Sequence, residues 1–266
     1  MVRRVWLLGL TCLLGLLAGV PALADPLTRV RLVFSTDANP PRIMGEGTTI
    51  DWARPGVTLE LLRLAAVRAG VEFAFERVPW KRGLFLVGTG EADGLFQASH
   101  LPDRMGVMAY PMKAGRPDPA RALMEQRYVL YTRPGSPVTW DGARLTGADA
   151  PVGAISSYSV VDELTRLGIP VEEGKTQEHN LDKLVGGRIA AYAGLEAMTD
   201  ALIAAHPGRY GRLVKVMPPL VAKPYYLVFS RAFYSEHRDL AERIWDAIAE
   251  VNASGEFAAI VRRYAD

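Results

Sequence analysis

Cysteine is nearly absent from this 266-residue chain: Cys12 is the only one, and it falls in the first 24 residues. The remainder can therefore form no disulfide and carry out no thiol chemistry. An excess of one charge is lacking too. Arg3 and Arg4 also lie in the opening segment, which holds no acid, so removing it takes Lys+Arg from 31 to 29 against 29 Asp+Glu. A neutral balance without a basic block argues against a nucleic-acid partner. The four histidines, His100, His179, His206 and His237, include no pair at i, i+4 and have no cysteine to join, so no metal or cofactor is expected. G-x-S-x-G, the P-loop and G-x-G-x-x-G are all missing. There is no tandem repeat and no low-complexity stretch. Hydrophobic residues at 49% and charged residues at 23% exclude a wholly disordered or collagen-like chain.

The first 24 residues have the layout of a secretory signal. Arg3-Arg4 gives a basic start, Val5 to Val20 an apolar run, and Ala22-Leu23-Ala24 a small-x-small cleavage pattern. A retained membrane anchor is the alternative, but the run is shorter than the roughly 20 apolar residues that spanning requires. Cys12 sits in mid-run after Leu10-Thr11, which does not fit a lipoprotein. Cleavage after Ala24 leaves 242 residues, room for one large or two modest domains.

Periodicity then predicts alternating strands and helices. Residues 30–35 form a strand that ends at Asp37-Ala38-Asn39-Pro40-Pro41, and 58–69 form a helix stopped by Gly70. A strand at 71–78, a helix from Pro79-Trp80 to Gly88 and a buried strand at 94–98 complete β-α-β-α-β, the mark of a parallel sheet with helices on its faces. After a strand at 128–131 the alternation resumes: strands at 152–155, 171–172 and 189–193, helices at 159–167, 180–185 and 196–205. A strand at 225–230 precedes two amphipathic helices. The duplicated layout implies two α/β lobes with a ligand cleft between them, at the carboxyl ends of the strands. The loops at 37–55, 97–104, 156–159 and 193–196 meet there.

Several segments in order carry a family resemblance: Pro40-Pro41 after the first strand, Pro55-Gly56-Val57-Thr58-Leu59-Glu60, Gly90-Glu91-Ala92-Asp93-Gly94, Pro102-Asp103-Arg104, Ala109-Tyr110-Pro111, Val152-Gly153, Gly187-Arg188-Ile189-Ala190-Ala191 and Gly255-Glu256-Phe257. Across about residues 28–264 the chain resembles the bacterial periplasmic solute-binding proteins of the polar amino-acid type (family 3), which serve ABC importers. The resemblance implies a type II-like two-lobe fold with two crossover strands, near Arg121–Tyr131 and Ala222–Val228. Lobe 1 would hold residues 25–125 and 224–266, and lobe 2 residues 126–223. It implies a periplasmic monomer that closes by hinge motion on a small carboxylate-bearing solute and presents it to a membrane ABC permease.

By resemblance, Arg104 grips the ligand's carboxylate, and the physics agrees: a guanidinium holds a carboxylate through two parallel charge-assisted hydrogen bonds. A surface pair with Asp103 is the bland alternative. Phe96, Gln97 and Ser99 lie just before it, where the family uses hydroxyls and backbone groups. Trp80 falls where an aromatic wall is common, although core packing explains it equally. Ser156, Ser157, Tyr158 and Ser159 fill a turn at a helix start, suited to an anion and equally to a plain N-cap.

Two departures bear on the ligand. An Asp that pairs with the ligand's ammonium in the family is replaced by Leu195, with Glu196 one residue later, and Arg42 stands where an aromatic is common. An added cation and a missing anion favour an anionic ligand such as a dicarboxylate. The alternatives are an enzyme of the cyclohexadienyl-dehydratase type, with Glu196 and His100 as its candidate acids, and a sensor input for a membrane receptor.

Overall fold

The computed structural model describes residues 28–264; the segment expected to be a secretory signal, with Cys12, lies outside them. The chain opens as β1 (Thr28–Ser35), α1 (Val57–Ala69), β2 (Val71–Val78), α2 (Trp80–Gly88) and β3 (Gly94–Ser99), each within a residue or two of its periodicity. A short β4 (Met108–Ala109) and a hairpin, β5 (Met112–Lys113) with β6 (Arg116–Pro117), lead into β7 (Met124–Thr132). A second hairpin, β8 (Thr139–Trp140) with β9 (Leu145–Thr146), precedes β10 (Val152–Ile155), α3 (Ser159–Arg166), β11 (Val171–Gly174), α4 (Gln177–Val185), β12 (Ala191–Leu195) and α5 (Glu196–Ala205). The chain then runs through α6 (Pro207–Tyr210), β13 (Val214–Ser230), α7 (Arg231–Glu236), α8 (Arg238–Asn252) and α9 (Gly255–Arg263).

The main sheet has the order β11-β10-β12-β7-β13-β3-β1-β2, with β4 also on β13. β1, β2 and β3 are parallel to one another, as are β10, β11 and β12. The two parallel sets are joined through the antiparallel strands β7 and β13. One end of β13 pairs with Leu130–Thr132 of β7, and its other end, Tyr225–Phe229, pairs with β3. These two strands are the crossovers.

Each set has buried apolar clusters on both faces. In the first, Leu32, Phe34, Leu61, Ile244 and Trp245 pack under α1 and α8, and Val33, Leu95 and Tyr226 under α2. In the second, Val152, Val160 and Leu164 pack on one face and Val129, Leu181 and Tyr192 on the other. Trp245 is fully buried and donates its indole N–H to Leu227 O at 2.8 Å, so the C-terminal helix is tied to the first lobe's sheet.

Three elements differ from the periodicity. α4 starts at Gln177 rather than Asn180 because Thr176 caps it, accepting from His179 N. The strand expected at 189–193 runs from Ala191 to Leu195, since Arg188 N and Ala190 N bond to Lys183 O and Pro151 O instead of a strand. The strand at 225–230 is the end of the 17-residue β13, whose earlier half is obscured by Pro218-Pro219 and a register shift between Val216 and Val221.

Candidate functional site

The parallel strands end at a narrow cleft between the two halves of the sheet. Residues from both sides and from the crossovers line it. Arg104, Ser99, Gln97 and Trp80 come from the first side, Tyr158 and Ser159 from the second. These are six of the ten residues named from sequence. The other four lie elsewhere. Phe96 is fully buried and stacks on Phe34 in the core, 4.6 Å between ring centroids. Ser157 reaches the cleft through its backbone carbonyl only. Arg42 points to a separate surface hollow with Glu125, Arg127 and Glu196, its Nη2 3.5 Å from Glu125 O. Glu196 is held by Arg127 at 2.6 Å and Lys215 at 2.9 Å, so it is not an ammonium partner in the cleft. Leu195 lines the cleft in its place.

Arg104 is only 9% exposed. Its guanidinium donates to Ser99 O and across the cleft to Ser157 O, each at 3.0 Å, leaving three of its five N–H groups beyond these bonds. Among the described residues no carboxylate lies within ion-pair distance of it, and Asp103 is exposed. A buried, unpaired guanidinium is costly unless an anion meets it. The indole of Trp80 lies beneath it, 5.7 Å from ring centroid to Cζ, and donates to the same Ser157 carbonyl at 3.3 Å. Ser157 has φ +66°, a left-handed backbone that turns this carbonyl toward both donors. Ser99 Oγ donates to Ser159 Oγ at 2.7 Å, a third direct bond across the cleft. Ser159 opens α3, and Tyr158, its N-cap, has no side-chain cap bond.

The crossover strands supply a layer that sequence reading missed. Tyr225 on β13 donates its hydroxyl to that of Tyr128 on β7 at 3.0 Å. Asn39 Nδ2 donates to Gln126 Oε1 (2.9 Å), Gln126 Nε2 to Gln97 Oε1 (2.6 Å), and Gln97 Nε2 to Thr58 Oγ1 (2.8 Å). The chain of amides consumes every group but one: Asn39 Oδ1 is buried without a partner at the cleft wall. Gln97 joins this chain because it has φ +65° and sits where the β3–β13 register shifts between Tyr226 and Leu227. The bulge rotates its amide into the cleft.

Asp37 is the other residue that was missed, although its loop was marked. It lines the cleft and accepts from Ser35 Oγ at 3.0 Å, and among the described residues no cation forms an ion pair with it. Tyr158 lines the same cleft from the other side, and burial, and next the Asp37 carboxylate, push its phenol well above its ordinary value. Arg77 shapes the loop: buried, it donates to the carbonyls of Ser35, Thr36, Asp37, Met44, Gly45 and Thr49. The two groups on which an anionic ligand was expected are therefore placed differently. Arg42 lies outside the cleft and a carboxylate lies inside it.

The groups nominated for catalysis are not disposed for it. Glu196 faces away, and His100 is not part of the cleft wall; its ring lies 3.1 Å from Met105 Sδ and edge-on to Tyr110. Burial, then Lys223 and Arg104, hold the His100 pKa below its ordinary value. No group of three His, Cys, Asp or Glu that could hold a metal is present among the described residues.

The fold and the cleft define a two-lobe binding-protein architecture. No protein-family model matches the sequence, and no curated protein sequence matches it. Solved structures do match. A histidine kinase sensor domain with similarity to periplasmic binding proteins superposes with a TM-score of 0.71 at 18% identity, over 90% of this chain and 97% of that one. ArtJ, the arginine-, lysine-, histidine-binding protein of Geobacillus stearothermophilus, gives 0.69 at 15% identity, over 89% and 95%. An ArgBP mutant from T. maritima gives 0.65 at 19%, over 89% and 94%. The fold is thus that of the amino-acid substrate-binding proteins of ABC transporters, shared with a histidine kinase sensor domain.

Proposed function

We propose that the protein is exported, captures a small carboxylate-bearing solute of the amino-acid class in the interlobe cleft by hinge closure, and delivers it to an ABC importer. The observation that carries this reading is Arg104: a buried guanidinium in the cleft, with donors to spare and no carboxylate of its own. An incoming carboxylate relieves that cost and takes charge-assisted bonds. Ser99, Ser159 and the start of α3 complete the anion's surroundings, and Trp80 and Tyr158, edge-on at 6.2 Å, wall it. The hinge lies in β7 and β13, with the lobe limits near residues 125 and 223. A non-enzymatic role fits a cleft whose lining does not include Glu196 or His100, the acids nominated from sequence, and the protein is taken to act as a monomer. The likeness to a sensor domain supports a second reading, in which the same capture is reported to a membrane receptor.

A thermal-shift screen tests the capture. Amino acids raise the melting temperature by mass action, while agmatine and putrescine, which lack a carboxylate, do not. Stabilisation by the carboxylate-free amines alone would refute the role given to Arg104.

A further inference from the structure

Three side-chain bonds run directly from the first lobe to the second, and all of them end on one tripeptide, Ser157-Tyr158-Ser159. Arg104 Nη2 donates to Ser157 O at 3.0 Å, Trp80 Nε1 donates to the same oxygen at 3.3 Å, and Ser99 Oγ donates to Ser159 Oγ at 2.7 Å. The rings of Trp80 and Tyr158 meet edge-on beside them. Ser99, Arg104 and Ser159 are buried, so water competes little for these bonds. Both sides of the contact are braced from behind. Arg104 Nη1 is held by Ser99 O, and Lys223 Nζ on β13 lies 3.4 Å from Ser159 O.

The lobes leave little space between them. The inner cleft encloses about 50 Å³. That is room for a few waters, against roughly 300–1,000 Å³ for a small-molecule pocket. The N–H groups of Arg104 beyond its two bonds are therefore out of a solute's reach until the lobes part. Parting them pulls Ser157 O away from Arg104 and from Trp80, and frees a further N–H of the guanidinium.

We infer that the tripeptide is an internal latch: the lobes close on each other with Ser157 O in the place of one ligand carboxylate oxygen, and capture starts from a less populated open form. Apparent affinity is then lowered by the fraction of molecules that are open. A solute must also offer Arg104 more than a neutral carbonyl does. A carboxylate meets that condition, because its bonds to a guanidinium are charge-assisted. Latching needs only the interlobe geometry; the preference for a carboxylate rests on the capture by Arg104 proposed above.

Residues 25–266 contain no cysteine, so an introduced pair can carry spin labels without background. Arg82→Cys on α2 and Asp162→Cys on α3 are exposed positions on opposite lobes. The labelled protein is unfolded and refolded to strip any solute carried through purification, and the distance between labels is measured by double electron–electron resonance. The expected result is one dominant short distance, matching the separation of the two positions in this structure. Trp80→Phe keeps the ring and removes the donor; Ser99→Ala removes the other cross-cleft donor. Each should raise the longer-distance population about two- to tenfold, the worth of one hydrogen bond, and the two together should raise it further. A long or broad distribution in the solute-free wild type overturns the latch. So does a short distance that both single variants, each folded, leave unchanged. No solute enters either measurement, so the carboxylate reading stands or falls separately.

Discussion

Arg104 and Ser157 bring the two lobes together through a single carbonyl, which also accepts from Trp80. Ser157 reaches that geometry in a left-handed conformation that costs a side-chain-bearing residue about 1–2 kcal/mol. Ser157→Gly keeps the carbonyl and removes the strain. It is expected to leave binding unchanged and to cost no stability in chemical denaturation, where glycine at an ordinary position loses about 1 kcal/mol. His100 sets a pH response. Its folded pKa lies below 6.5, through burial first and then Lys223 and Arg104, so below about pH 6.5 the unfolded chain binds a proton that the folded chain resists. Stability therefore falls as pH drops from 6.5 toward the folded pKa. Thermal unfolding compared between wild type and His100→Gln should show a shallower acid slope in the variant; parallel slopes would contradict the assignment. The place of Arg104 and Ser99 on the cleft wall was legible in the sequence through the family resemblance, which supplies their position after the third strand. Asp37, Asn39 and Gln126 were not, since short polar residues in a loop or strand are uninformative until the fold gives them a neighbour.

Elements were legible where one periodicity dominates. β1 through β3 and α1 through α2 repeat their apolar pattern cleanly, and they lie within a residue or two of it. The crossover β13 was half hidden, because a strand that changes partner midway, with Pro218-Pro219 at the change, has no single pattern. The bulge at Gln97 was likewise invisible, being a property of the pairing. The loop between β1 and α1 is anchored by Gly56, which has φ +111° and whose added Cβ would stand 2.3 Å from Arg42 O. Gly56→Ala is expected to destabilise the protein by about 1–3 kcal/mol and to weaken binding by displacing Asn39 and Asp37. Far from the cleft, Trp245→Ala removes a fully buried indole and its bond to Leu227 O, with an expected loss of about 3–5 kcal/mol. Its ligand affinity, measured well below the melting temperature, should stay at the wild-type value. A drop would show that α8 communicates with the site.

At the scale of the molecule, two parallel half-sheets meet through two long antiparallel strands, so the proposed ligand site coincides with the proposed hinge. β7 and β13 bear Gln126, Tyr128 and Tyr225 on the cleft wall, and together they link the halves: β7 pairs with β12, β13 with β3, and the two with each other. A ligand that bridges Arg104 and the start of α3 therefore acts on closure directly. The most direct test of the account is calorimetric titration of Arg104→Met with the amino acid that most stabilises the wild type. Because no carboxylate is left unpaired by the change, the unliganded variant should melt at or above the wild-type temperature. Its affinity should fall by about a hundredfold or more, the loss of two charge-assisted bonds. Wild-type affinity in a folded Arg104→Met protein would contradict the central claim.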